Sequence, residues 1–322
     1  MPNKQLIGIH HVSAITKNAR DNYNFYTKML GLRLVKKTVN QDDTSMYHLF
    51  YADERGNPGT DFTFFEIPVV GRTYEGTNCI SLTTLRVKND KALEYWKNRF
   101  NKYGVQHEII SEVCGRSTLA FKDHENQRLM LVSDEKNVGV PGGKAWGKST
   151  IPDDYGIIGL GPVELTVSRL ERTVNTLVEV LGFRKKHTYQ SSKTIHVYET
   201  GEGGSGAEVH VIEEKALPRE KAGRGSVHHV AFRVKDNIEL KKWENKLTSL
   251  NIGHSGIVER YYFQSLYFRE PNGILFELAT DGPGFEVDEE FEELGEKLAL
   301  PPFFEDKRAE IEAKLQPLET SK

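Results

Sequence analysis

Apolar positions along the chain change period in a recurring order: every second residue over a short run, every third or fourth over about a dozen, then every second again. From Ile7 the run GIHHVSAIT reads as a strand. Tyr23, Tyr26, Met29 and Leu30 then stand three or four apart, which predicts a helix over about 19–30 with Gly31 capping its C-terminus. Three strand-like runs follow, GLRLVKKTV, SMYHLFYA and TDFTFFEI. The order recurs from Leu160 as LGPVELTVS, a helix carrying Leu170, Val174, Leu177 and Leu181, then GFRKKHTY, TIHVYET and AEVHVIE. It recurs again from Val227 as VHHVAFRV, a helix with Leu240, Trp243, Leu247 and Leu250, then GHSGIVERYYFQ, SLYFREP and GILFELAT. A more degenerate copy lies between: CISLTTLRV, a helix with Leu93, Trp96 and Phe100 ending near Gly104, then STLAFKD and QRLMLVSD. The pattern predicts an α+β protein of four β-α-β-β-β modules, each of roughly 70 residues.

The modules divide two and two. Residues 1–136 are expected to form an N-terminal domain of modules one and two, and residues 158–281 a C-terminal domain of modules three and four. Between them residues 137–157 are rich in Gly and Pro and have no period, as a linker does. Residues 282–322 form an acidic tail, helical in pieces and broken at Pro301-Pro302. It reads either as a solvated extension or as an arm over a neighbouring cavity through Phe303 and Phe304.

Two modules begin with adjacent histidines, GIHHVSAIT and SVHHVAFRV. Asn18 and Asp236 each open the turn into the helix, and His11 and His229 each lie seven residues before them, so the two are equivalent. In REPNGILFEL, Asn272-Gly273 marks a tight turn, and the strand after it holds Glu277 between Phe276 and Leu278. A carboxylate in such a setting is costly unless it is paired or binds a metal. Two imidazoles and one carboxylate with coordination positions left open suit non-haem Fe(II). Strand alternation points His10 and His228 away from His11 and His229. His107, His124, His187, His196, His210 and His254 lack this symmetry and read as structural or surface residues. The Gly-rich run at 201–206 joins two strands and reads as a hairpin loop, not a phosphate loop.

Composition narrows the function classes. A formal net charge of −3 without a basic run argues against nucleic acid. Two cysteines without CxxC spacing fit a reduced compartment. A polar start without a long apolar segment predicts a cytoplasmic protein that is neither exported nor membrane-bound. A homo-oligomer is compatible with all of this.

The repeated βαβββ unit, with its histidines and glutamate, resembles the vicinal oxygen chelate (glyoxalase/bleomycin resistance/dioxygenase) superfamily, whose modules pair into cupped mixed sheets. LYFREPNGILFE is similar to the C-terminal signature of type I extradiol ring-cleaving dioxygenases, matched at Leu266, Tyr267, Glu270, Pro271, Gly273 and Glu277. Upstream, Val258, Glu259 and Arg260 stand where catechol-cleaving members carry a histidine. Arginine there resembles the hydroquinone-cleaving branch, as does Pro162 in place of a ligand in module three. The resemblance spans nearly the whole chain. It is nearest to bacterial ring-cleaving dioxygenases associated with methylhydroquinone and quinone resistance.

That resemblance implies Fe(II) held by His11, His229 and Glu277, with Mn(II), Zn(II) and Ni(II) able to occupy the same donors. It implies a small aromatic diol and O2 as substrates, with hydroquinone detoxification and aromatic hydrocarbon catabolism as the setting. His228, Tyr267 and Arg260 take catalytic places, His228 as acid–base group, and His10 and Ser13 lie against substrate. Two other readings stay open. A glyoxalase-type lyase or isomerase would want a fourth ligand, and aligning Gly59 with Gly273 puts Thr63 opposite Glu277, with Asp61 two residues earlier on the same face. A metal-free small-molecule-binding protein of the same modules is the other.

Overall fold

A computed structural model describes residues 6–320; the first five and last two residues, which include the polar start, lie outside it. Module one contains β1 (Ile9–Thr16), β2 (Arg33–Asn40), β3 (Asp43–Ala52) and β4 (Asp61–Glu66), with helix α1 (Ala19–Tyr23) after β1. Module two holds β5 (Cys79–Val87), α2 (Asp90–Tyr103), β6 (Ser111–Val113), β7 (Arg116–Lys122) and β8 (Arg128–Ser133). Module three holds β9 (Ile157–Val167), α3 (Leu170–Asn175), β10 (Arg184–Gln190), β11 (Thr194–Glu199) and β12 (Glu208–Glu213). Module four holds β13 (Val227–Val234), α4 (Asn237–Ser249), β14 (His254–Glu259), β15 (Gln264–Arg269) and β16 (Leu275–Thr280).

The sixteen strands form two eight-stranded mixed sheets. One runs β14-β15-β16-β13-β1-β4-β3-β2 and joins module four to module one; the other runs β10-β11-β12-β9-β5-β8-β7-β6 and joins three to two. Each sheet thus draws one module from each half of the sequence. In the first sheet β1 pairs antiparallel with β13 and parallel with β4, so both histidine-bearing strands lie side by side at its centre.

The 3–4 spacing in module one does not produce one uniform helix. After α1 the backbone widens into a π-helical segment, Asn24–Met29, and module three repeats this after α3 at Thr176–Val180. Leu30 N–H reaches back five residues to Phe25 O at 3.0 Å, and the chain leaves the helix through Gly31 at φ 72°, the left-handed cap that glycine favours. In modules two and four, Asn89 and Asp236 cap regular helices through side-chain bonds to Ala92 N and Glu239 N.

Many residues of the acidic tail are exposed, but scattered buried side chains tie it to the fold, and neither Phe303 nor Phe304 lines the cavity. The tail runs beside β2, where Lys37 bridges to Leu298, while Phe303 remains 55% exposed. Lys36, fully buried, pairs with Asp288 at 2.6 Å and with Glu289. Lys37 Nζ donates to Leu318 O at 2.9 Å and to Thr320 Oγ1 at 2.8 Å. Phe285 packs on the cavity-lining Phe50 and Tyr262, with ring centroids 5.1 and 5.4 Å away, and so braces the wall of the cup. No helix among the described residues is long and apolar enough to cross a membrane.

Removing one member of a buried ion pair leaves the others desolvated and unmatched. Lys36→Ala is expected to lower stability by about 3 kcal/mol in a urea titration, and a loss below about 1 kcal/mol would show that the tail is not held by this cluster.

Candidate metal centre

Strict alternation would place His10 and His228 on the face opposite to His11 and His229, but both strands break alternation at those residues. Along β1, Ile9 opposes Phe232 and His11 opposes Ala231: two steps on β1 match one on β13. Along β13, His229 opposes Ser13 and Val227 opposes Ala14: two steps on β13 match one on β1. Each strand therefore carries a bulge at its own histidine pair, the device by which a strand re-aims a side chain. The Nδ1 atoms of His10 and His11 approach to 2.9 Å, and those of His228 and His229 to 2.8 Å.

Their other nitrogens converge. His11 Nε2 and His229 Nε2 lie 3.2 Å apart, and Glu277 Oε2 lies 3.1 Å from the first and 2.8 Å from the second. Glu277 reaches them from β16, which pairs with β13, and Ser265 Oγ on β15 donates to its other oxygen at 2.5 Å. All three residues are buried. Burial works against the Glu277 carboxylate, yet the two imidazoles hold it well below the usual carboxylate range. Although both nitrogens are near, no hydrogen-bond donor is aligned on Oε2. A buried anionic oxygen without an aligned donor, and two imidazole nitrogens aimed at the same point, fit a divalent cation. These three form the one group of three or more His, Cys, Asp or Glu residues among the described residues whose ligand atoms lie within 4.8 Å of one another, and no fourth such residue joins it.

The neighbouring histidines fix the tautomer. If His11 Nε2 presents its lone pair to a metal, Nδ1 carries the proton and donates to His10 Nδ1, and His10 Nε2–H donates to Thr280 O at 3.0 Å. Burial, then the His11 imidazole, push His10 down to about 3, which keeps it neutral as this chain requires. His228 serves His229 in the same way through Nδ1. Desolvation, then the His229 imidazole, displace the His228 imidazole downward too.

His11 and His229 open into a cavity whose walls include Phe50, Phe65 and Phe263. Tyr267 on β15 lies beside His229, ring centroids 5.7 Å apart, and burial and the Glu277 charge raise its phenol, so that it stays a donor. Arg260, just after β14, places Nε 3.4 Å from Tyr267 Oη. Its two terminal nitrogens are held by both oxygens of Asp42, at 3.2 and 3.0 Å, from the β2–β3 turn. Module one thus orients a module-four arginine at the cavity mouth. Ser13 Oγ is bonded to Thr63 Oγ1 at 2.7 Å, and Thr63 to His48 Nε2 at 3.0 Å. Asp61 is buried but outside the donor group; burial, then Asp53, raise its carboxyl well above the usual range.

Thr38, Gln41, Asp42 and His48 were not singled out from sequence, yet all line the cavity. For His48 a signal existed: extending the Thr63–Glu277 equivalence one strand outward sets His48 where module four has Ser265, since Phe50 opposes Thr63 as Tyr267 opposes Glu277. Among the described residues the second sheet has no such centre. Seven residues before the helix caps Asn89 and Arg169 stand Leu82 and Pro162. His210 is spent on a buried ionic cluster: Glu208 receives both Arg116 terminal nitrogens at 2.7 Å, Lys186 at 2.8 Å and His210 at 3.2 Å.

With fold and donors in place, the chain belongs to the Glyoxalase/Bleomycin resistance protein/Dioxygenase superfamily, whose family model matches residues 8–131 and 159–278. It is 55% identical over 314 residues, 97% of this chain and 99% of the relative, to the Bacillus subtilis protein named "Putative ring-cleaving dioxygenase MhqA". It is 27% identical over 314 residues, 94% of each chain, to the chlorohydroquinone/hydroquinone 1,2-dioxygenase of Sphingobium indicum. A Bacillus subtilis crystal structure described as a "putative dioxygenase" superposes with a TM-score of 0.90 at 33% identity, covering 99% of this chain and 100% of that one.

Metal analysis after dialysis against Fe(II), Mn(II) or Zn(II) should find about one equivalent per wild-type chain and almost none in Glu277→Ala, as loss of one of three ligands requires. His10→Phe keeps the donors but removes the partner of His11 Nδ1. Its affinity should fall about 10- to 100-fold, and unchanged affinity would mean that the paired histidines do not support the ligands.

Proposed function

We propose that the chain is an Fe(II)-dependent extradiol-type dioxygenase that opens the ring of hydroquinone-like substrates with O2, in the removal of toxic quinones and hydroquinones. The ring-cleaving dioxygenase class rests on the relatives just described, one of them 55% identical over nearly the full length of both chains. The observation that carries the reading is the three-donor set without a fourth protein ligand, opening into an aromatic-walled cavity. Such a set leaves positions for a substrate oxygen and for O2. Fe(II) bound there supplies Lewis acidity toward a phenol and an electron path between ring and O2.

The protein's own groups do the remaining work. Tyr267 Oη and Arg260 Nε form a donor pair beside His229, placed to hold the oxygen of a bound phenolate and to stabilise charge as the ring is attacked. The Asp42 clamp removes the rotational freedom of Arg260, so that its charge is aimed before substrate arrives. His228, the acid–base group that the resemblance implies, is not among the residues lining the cavity, and its accepting Nδ1 is taken by His229, so we assign it to positioning that ligand. His10 and Ser13 orient the floor of the site. A para-diol offers a metal one oxygen where a catechol offers two, and Arg260 supplies the missing anchor.

Anaerobic reconstitution with Fe(II) followed by oxygen-uptake measurements should show consumption with methylhydroquinone, little with catechol, and none in His229→Ala. Uptake with catechol alone would overturn the para-diol assignment. Arg260→Lys keeps the charge but loses the fork held by Asp42, and should lower kcat/KM by about 10- to 100-fold.

A further inference from the structure

In the cavity that His11 and His229 line, module one presents polar groups that the protein leaves unsatisfied. His48 on β3 lies between Phe50 and Phe65, ring centroids 4.0 and 4.2 Å away, and lines the cavity. Its Nε2 is committed to Thr63, while its Nδ1 has no hydrogen-bond partner among the described residues. Thr38 on β2 stands directly opposite His48 in the strand pairing and lines the same cavity. Thr38 is 2% exposed, and its Oγ1 is buried without a partner. Two adjacent unsatisfied groups, one of them sealed from bulk water, call for an explanation. The metal donors do not provide it, because β3 lies two strands beyond β1, about 10 Å at the usual spacing.

We infer that Thr38 and His48 form the seat of the substrate's second oxygen, the one that does not reach the metal. This rests on the para-diol reading above. A benzene-1,4-diol held at the donors through one oxygen carries the other to the far end of the ring. A metal–oxygen bond of about 2 Å, the ring with its two oxygens, and a hydrogen bond of about 2.8 Å together span a distance of that order. There the distal hydroxyl donates to His48 Nδ1 and accepts from Thr38 Oγ1–H, while His48 Nε2–H donates to Thr63 Oγ1. Burial, and the imidazoles of His11 and His229 and the charge of Arg260 in the same cavity, hold the His48 imidazole well below its usual range, so it is neutral and keeps one accepting nitrogen. A catechol, with its oxygens adjacent, would leave the seat empty, and a hydroxyl donor or acceptor left unmatched in a buried site is a strong basis for discrimination.

The test is anaerobic calorimetric binding of hydroquinone and of phenol to the metal-loaded full chain, in wild type, Thr38→Val and His48→Phe. Valine keeps the shape of threonine, and phenylalanine keeps the ring between Phe50 and Phe65. Wild type should bind hydroquinone about tenfold more tightly than phenol. Each variant should lose most of that preference by weakening hydroquinone while leaving phenol within about twofold. An unchanged preference in both variants, or an equal loss for the two ligands, overturns the seat. Absence of oxygen uptake in wild type with the preference intact and variant-sensitive would overturn ring cleavage instead and leave the seat standing.

Discussion

The site depends on one constraint: β1 and β13 lie side by side, antiparallel, and each breaks its pairing by one residue at its own histidine pair. A strand has a side-chain period of two, so neighbouring residues ordinarily face opposite sides of a sheet. The two bulges suspend that rule at the one place where it would separate a ligand from the residue that orients it. Each ligand imidazole then has its Nδ1 held by the histidine before it, leaving Nε2 directed at the Glu277 carboxylate. Because β1 belongs to the first module and β13 to the last, the centre exists only when the chain closes on itself. The Lys36–Asp288–Glu289 cluster fastens the tail along β2, at the edge of the same sheet.

Four copies of one module produce a single centre because the copies have diverged at a few positions. The slots filled by His11 and His229 hold Leu82 and Pro162 in the other sheet, and the slot of Glu277 holds Thr63 in module one. Within the active cup the asymmetry is useful. Module four supplies the carboxylate, Tyr267 and Arg260. Module one, freed of a ligand on β4, supplies a hydroxyl–imidazole chain from Ser13 through Thr63 to His48. A fourth protein ligand would suit an enzyme that binds and polarises one substrate; three leave room for two reactants.

Much of this was legible in the amino-acid sequence. The alternation of periods exposed the four modules, and the fixed seven-residue distance to the helix cap made His11 and His229 equivalent without reference to coordinates. Glu277 stood out because a charge between Phe276 and Leu278 is expensive. What could not be read depended on partners distant in sequence. Alternation sends His10 and His228 to the wrong side, since a bulge is a property of two paired strands and not of one. The pairing of module one with module four, the seating of the tail on Lys36 and Lys37, and the clamp of Asp42 on Arg260 all join segments more than 200 residues apart. The π-helical turns of modules one and three were read as plain helix because both keep apolar residues at three- and four-residue spacing.

The central claim is that three residues, and no others, hold a metal beneath an open coordination face. The most direct measurement is a crystal structure of the Fe(II)-loaded protein collected at the iron absorption edge. One anomalous peak is expected, bounded by His11 Nε2, His229 Nε2 and a Glu277 oxygen, with the remaining positions free of protein atoms. A peak that also touches Asp61 or His48, or that lies on His10 or His228 instead, would contradict that claim.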